Sequence, residues 1–514
     1  MPRGRDKTAL VISPGGVRED LNPALIPEGY LLASSNWLTR QGVGRPRSGY
    51  EQDGTTLTAA DRIMGFGFRG SLSTAINLVA HTLTKAYNRT AGGTYSDITG
   101  TWTTSATSQH VRMVAYPSGG TLWLLRTNLA NAIDKWSGSG NFTDPTQTAP
   151  ACRDLTVTNG RVLGFNVTTG GTNFPYRAQW TDLNDVDTWP AGNIAELDET
   201  PDEGVATRAF GPLTAGLYKE DSVWLAVAQA AATPFQFQLV AHTPGPVSPA
   251  ALISFRGKHY WLAKDAVIYA FDGSKVEPVG RAIVKTFREN FDWESRQQVH
   301  GFVLPLAEPE LWYVFPSSGS AIKRAMSVNL TSGAMNPHLF ADDISASSEW
   351  LAQPEITWDG LSGTWDALGD TYATWDAMAS EAHPTAVLGT TGGKVMQYGL
   401  ATNDDGTAIA WSFTHPNVPA GGLGNRLYLD GITSYWKKMS TSLTVTVGVT
   451  VTDSLGDADS ESTSTFDIAT DSNHLSTFTS KIGQWVKVRH AGASAIADLE
   501  HRGAGILGWK RNMA

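Results

Sequence analysis

IMGFGF (63–68), AINLVA (75–80), LTKAYN (83–88) and TYSDIT (94–99) are four short runs, rich in apolar and β-forming residues, set apart by a few Gly, Ser, Thr and Asn. VRMVAY (111–116), TLWLLR (121–126), AIDKW (132–136) and NFTD (141–144) make a second block of the same kind. Further blocks open at LTVTNGRVLGFNV (155–167), AFGPLTAGLYKEDSVWLAVA (209–228), LISFRGKHYWLA (252–263) and HGFVLP (300–305), with a last candidate at AVLGTTGGKVMQYG (386–399). Short strands that restart every roughly 40–50 residues are the pattern of radially repeated sheets. AsnGly at 159–160, AspGly at 272–273 and SerGly at 332–333 supply the positive φ that tight hairpins need.

This pattern leads to an all-β fold: a six- or seven-bladed β-propeller with an additional C-terminal antiparallel β domain. A pair of β-sandwiches is the competing arrangement. Residues 1–60 read as a loop-rich N-terminal arm, with one short helix expected inside Pro23–Leu38. Residues 61–400 read as the propeller, interrupted at about 346–384 by a loop rich in TrpAsp pairs. Residues 401–514 read as a C-terminal β-sandwich or extended hairpin domain, because LTVTVGVTVTDS (443–454) alternates Leu443, Val445, Val447, Val449 and Val451 with Thr and Gly.

Composition narrows the function classes. The 514 residues include 18 Trp and 52 Gly, and only 17% are charged, as expected of a β-rich chain. One cysteine, Cys152, excludes a disulfide framework and a thiolate zinc cluster. No run approaches the roughly 20 apolar residues of a membrane span, and the apolar run after the basic start is too short for a signal peptide. A cytoplasmic site of synthesis is expected. The formal charge of −10 argues against a protein that grips nucleic acid over its surface, yet leaves room for an acidic wall that DNA merely passes.

No catalytic constellation is legible, so the chain is expected to be no enzyme, with no cofactor and no metal. SDITGTW (96–102) comes close to a sialidase-type turn motif and fails in spacing. The eleven histidines lack an i, i+4 pair, and His81, His242 and His300 read as ordinary strand or turn residues. The candidate sites are of other kinds. Trp358, Trp365 and Trp375, each followed by Asp, form either a partner-binding aromatic platform or staples for a long loop. Asp453, Asp457, Asp459 and Glu461 form an acidic hairpin that suits a channel or gate but lacks the glycine and terminal glutamate of an EF-hand. Arg45 and Arg47 belong to a basic cluster suited to docking on an acidic neighbour.

The segment GGVREDLNPALIPEGYLLASSNWLTRQGVGRPRSGY (15–50), with Asn36 in SSNW, the Gly42 turn and Arg45-Pro-Arg47-Ser-Gly49, resembles the opening of tail nozzle or packaged-DNA stabilisation proteins of short-tailed bacteriophages, also called tail tubular proteins. AQWTDLNDVDTWP (178–190), around Trp180, Asp182, Asp187 and Trp189, is similar to a later block of that family. The resemblance implies a structural virion protein in a homohexamer ring below the portal-adaptor ring, located in the virion tail and assembled in the host cytoplasm. It further implies contacts to tail fibres or spikes and to internal ejection proteins, and a channel through which DNA passes during genome ejection without sequence-specific binding. The alternative function is a carbohydrate-binding or carbohydrate-active β-propeller, such as a phage receptor-binding protein.

Overall fold

A computed structural model describes residues 6–10, 15–23, 25–27, 29–40, 43–70, 76–90, 93–104, 106–230, 233–280, 283–317, 319, 321–351, 384–419, 425–437, 442–453, 460–494 and 499–512. Among these the strands form nine antiparallel sheets. Seven are small and succeed one another along the chain. Sheet 1 comprises Ile63–Arg69, Asn77–Thr82, Ala86–Arg89 and Tyr95–Asp97, and the three-stranded sheet 2 comprises Arg112–Ser118, Thr121–Thr127 and Asp134–Trp136. Sheets 3 to 6 open with Ala151–Thr158, Gly204–Gly211, Leu252–Phe255 and His300–Leu304, each followed by three strands in sequence order. Sheet 7 joins Ile344–Leu351, Pro384–Thr390 and Val395–Ala401 to an early strand, Gly49–Gln52.

The hairpin turns work as their residues dictate. Asn159 and Gly160 hold φ of 51° and 61° between the paired residues Thr158 and Arg161, so the chain reverses in two residues with the twist of the flanking strands. The opening strands of consecutive small sheets pack side by side, and Ile344–Leu351 lies against Ile63–Arg69. Buried side chains fill the spaces between neighbouring sheets, as where Phe165 and Leu163 of sheet 3 meet Leu217 and Ala215 of sheet 4.

The remaining strands make two six-stranded sheets that draw on both ends of the chain. One contains Asp6–Leu10, Trp37–Arg40, Val43–Pro46, Asn425–Trp436, Asn473–Gly483 and His501–Asn512. The other contains Ala33–Ser35, Ile409–Thr414, Val418–Pro419, Thr444–Thr452, Ser462–Asp467 and Trp485–Ser494. They share a core in which Val445, Val447 and Val449 of the alternating strand are fully buried with Leu429, Ile432 and Ile506 of the other sheet. Trp37 stacks on Phe413 across this core at 4.4 Å between ring centroids.

Two expectations are corrected. Among the described residues no sheet closes into a barrel or a propeller. The first and last strands of each small sheet are not paired with each other, so the six- or seven-bladed propeller gives way to an all-β chain of many small, open antiparallel sheets. The helix expected within Pro23–Leu38 is also absent among the described residues. Ala33–Ser35 and Trp37–Arg40 are strands, paired with Ile409–Thr414 and Val43–Pro46. Asn36 sits between them at φ 53°, where its side chain accepts from Leu339 N–H and donates to Ala410 O. These tertiary hydrogen bonds override the local preference that suggested a helix.

Candidate functional cleft

The opening strands of six small sheets line one cleft of about 520 Å³, that of sheet 5 through Leu252 and Ile253. Sheet 1 contributes Met64, Phe66 and Phe68, sheet 2 contributes Arg112, sheet 4 contributes Arg208, and sheets 6 and 7 contribute His300, Phe302, Ser347 and Glu349. Its size and its mixture of apolar walls with a few convergent polar groups fit a small-molecule site.

Charge at this cleft is organised around Asp154, in the first strand of sheet 3. Its side chain is wholly buried, and its Oδ2 accepts from Arg208 Nη1 at 2.5 Å and from the Thr207 N–H at 2.9 Å. Its Oδ1 lies 3.3 Å from Arg112 Nε and accepts from its own neighbour Leu155 N–H. Two guanidinium groups therefore share one carboxylate. Arg208 is further tied to Thr207 O and Pro249 O. Arg112 is held only by Nε among the described residues, on Leu155 O and Asp154, which leaves its Nη edge for the cleft it lines. Burial, and next the like charge of Arg208, push the Arg112 guanidinium down to about 9. A cation so placed is short of compensating negative charge.

Elsewhere on the cleft wall, Glu349 is an exposed carboxyl. Ser347 and Glu349 are two residues apart on one strand and so share a face. His300 Nδ1 lies 2.6 Å from Ser347 Oγ, and its Nε2 lies 3.0 Å from Ile344 O. Since a carbonyl can only accept, Nε2 carries the proton and Nδ1 accepts from the serine hydroxyl. This is the spacing of a serine–histidine pair. Its electrostatics are those of a structural contact, because among the described residues a backbone carbonyl, Ile344 O, and not a carboxylate stands behind the imidazole. Burial, with nearby His110 and Arg62, pushes His300 down to about 3.

The residues singled out in the sequence lie away from this cleft or outside the described residues. Arg47 is buried and spends its donors inside the chain, on Asp404, Asn36 Oδ1, Ser48 O and Leu339 O. Arg45 is partly buried, and burial, then the neighbouring Arg40, lower its guanidinium below the ordinary range. Asp453 and Glu461 flank the acidic hairpin and are ion-paired with Arg426 at 2.6 Å and Arg489 at 2.7 Å. Trp358, Trp365, Trp375, Asp457 and Asp459 lie outside the described residues. Trp180 and Trp189 are core residues, while Asp187 receives Lys135 Nζ and Thr146 N–H.

Sequence reasoning passed over Arg112, Asp154, Arg208, Ser347 and Glu349. The one signal available was the charged pair Arg153-Asp154 inside the otherwise strand-like ACRDLTVT (151–158), where an ionised group in a buried strand needs a partner from elsewhere.

No protein-family model matches this chain, and no curated protein does. Among solved structures, a chain of the "Crystal Structure of Mitotic Checkpoint Complex" is similar at 9% identity and a TM-score of 0.39, over 69% of this chain and 94% of that one; so slight a likeness carries no functional argument. The tail-nozzle reading is corrected on the fold: a nozzle subunit or a carbohydrate-binding propeller was expected to rest on a closed ring of blades, and among the described residues the chain instead forms open sheets with no closed, tube-like arrangement.

Proposed function

We propose that this protein is a non-catalytic binding protein whose cleft holds a small organic anion with an apolar body. The observation that carries this reading is the sharing of one buried carboxylate, Asp154, by Arg112 and Arg208, which leaves positive charge facing a cleft walled by Phe66, Phe68 and Phe302. An arriving carboxylate meets a guanidinium edge already oriented by Nε, and a charge-assisted hydrogen bond in a partly dry site is worth about 1.5–3 kcal/mol. The apolar walls supply the rest through burial of the ligand's hydrocarbon.

The non-catalytic part rests on His300. A base held neutral by burial, with a backbone carbonyl behind it, gives Ser347 little activation. Titration calorimetry with hexanoate tests the proposal. Saturable binding at one site, weakened at least tenfold in Arg112→Gln, is expected. Absence of saturable binding, or equal binding by the variant, would refute it. Hydrolysis of p-nitrophenyl hexanoate that is lost in Ser347→Ala would show the cleft to be an esterase site instead.

A further inference from the structure

The two large sheets bring together three histidines that are far apart in the sequence. His415 follows the strand Ile409–Thr414 and is pinned by its N–H to Val488 O at 3.0 Å. His490 lies within Trp485–Ser494, opposite Phe413 and Val447 in the ladders. His501 opens His501–Asn512 in the facing sheet and pairs with Trp436. All three are buried, and one ring nitrogen of each lies within 4.8 Å of the others. The centre of such a triangle is at most about 2.8 Å from each nitrogen, against the 2.0–2.1 Å of a zinc–imidazole bond, so small ring movements complete the coordination.

The hydrogen bonding points the same way. His490 Nε2 lies 2.9 Å from Ser434 Oγ on the facing sheet, and its Nδ1 is buried with no hydrogen-bond partner. His415 Nε2 is likewise buried and unpartnered. A buried imidazole nitrogen left without a partner costs about 1–3 kcal/mol, and native proteins rarely tolerate two side by side. A metal ligand is a partner for such a lone pair. Ser434 plays the part of the outer group that fixes a ligating imidazole's orientation by engaging its other nitrogen.

Aromatic rings enclose the cluster: Phe413 stacks on His490 at 4.9 Å and 13°, and Trp436 meets His501 at 4.7 Å.

We infer that His415, His490 and His501 form a three-histidine site for a divalent first-row transition metal of the zinc class, which ties the two large sheets together. Three protein ligands leave one tetrahedral position for a solvent oxygen. The donor set is all imidazole, which suits zinc, cobalt, nickel and copper and disfavours calcium and magnesium.

The test uses the full chain, stripped with a chelator and titrated with Co²⁺ and Zn²⁺. One Co²⁺ per chain with the intense visible bands of a four-coordinate site, displaced by one Zn²⁺, is the expected result. His415→Gln and His490→Gln should each lose the bands and the thermal stabilisation by zinc, and Ser434→Ala should weaken binding about 10–100-fold. No bound metal in the wild-type chain, or bands that persist in both histidine variants, would overturn the inference. Should the variants fail to fold, Cu²⁺ paramagnetic resonance of the wild-type chain decides: coupling to three imidazole nitrogens supports the site, and fewer than three overturns it.

Discussion

Arg47 and Asp404, 357 positions apart, form a buried two-pronged ion pair, with Arg47 Nη1 on Oδ1 at 2.8 Å and Nη2 on Oδ2 at 2.5 Å. The Arg47 side chain is wholly buried and that of Asp404 nearly so. The arginine also lies over the Phe340 ring and donates to Asn36 and Leu339, so one side chain fastens the N-terminal strands to the end of sheet 7 and to the last strand of sheet 6. Removing one partner strands the other charge in a dry site. Arg47→Met is expected to destabilise the fold by about 3–5 kcal/mol, read as a lowered urea midpoint by tryptophan fluorescence. Arg47→Met with Asp404→Leu should recover part of that loss, because no unpaired charge then remains.

Arg126 is a second internal cation, held by Asp134 at 2.8 Å and by His81 Nε2 at 3.0 Å, and sandwiched near the Trp102 and Phe142 rings at 4.4 and 4.1 Å. A lysine cannot reproduce a planar fork that meets a carboxylate, an imidazole and two ring faces together. Arg126→Lys should therefore cost on the order of 3 kcal/mol in urea unfolding. A loss below about 0.5 kcal/mol would show the pair to be dispensable.

Acid should weaken the fold early. Burial, its largest cause in each case, lowers His81, His110, His259, His300 and His338 below their ordinary value, to about 4 for His110 and about 3 for His259 and His300. A folded value below the unfolded one means that the unfolded chain takes protons first. Stability from these groups is complete above about pH 6.5 and declines as pH falls below it, by up to about 1.4 kcal/mol per pH unit for each histidine. The urea midpoint should be level from pH 7.5 to 8.5 and drop clearly from 7.5 to 5.5. A level midpoint down to 5.5 would contradict the burial of these imidazoles.

Gly54 turns the chain directly after the strand Gly49–Gln52 with φ +66°, and a Cβ there would stand 1.7 Å from Gly93 O. The left-handed backbone and the backbone oxygen both exclude a side chain. Gly54→Ala should lower stability by at least about 1 kcal/mol, with the thermal midpoint as the readout. An unchanged midpoint would place Gly93 elsewhere.

The repeated strand blocks were legible because short β-forming runs and AsnGly-type turns are local signals, as Thr158–Arg161 shows by turning where Asn159 and Gly160 stand. Leu443 and the alternating valines that follow it were legible for the same reason, and Val445, Val447 and Val449 are buried. How the sheets close was not legible, since an edge left open or joined is decided between distant strands: Gly49–Gln52 pairs with Val395–Ala401 across more than three hundred positions. The cleft and the histidine cluster were hidden similarly. Arg112, Asp154 and Arg208 come from three sheets, and His415, His490 and His501 from two, so no spacing in the sequence announces either group. Arg47 looked like a surface cation because its partner Asp404 lies at the far end of the chain.

The central claim is that the positive charge at Arg112 and Arg208 selects an anion for an apolar cleft. Paired calorimetric titrations with hexanoate and with 1-hexanol, which share a hydrocarbon body and differ in charge, test it most directly. Hexanoate should bind at one site at least tenfold more tightly than the alcohol, as a charge-assisted hydrogen bond of about 1.5–3 kcal/mol requires. Equal binding of the two, or binding of neither, would contradict the account.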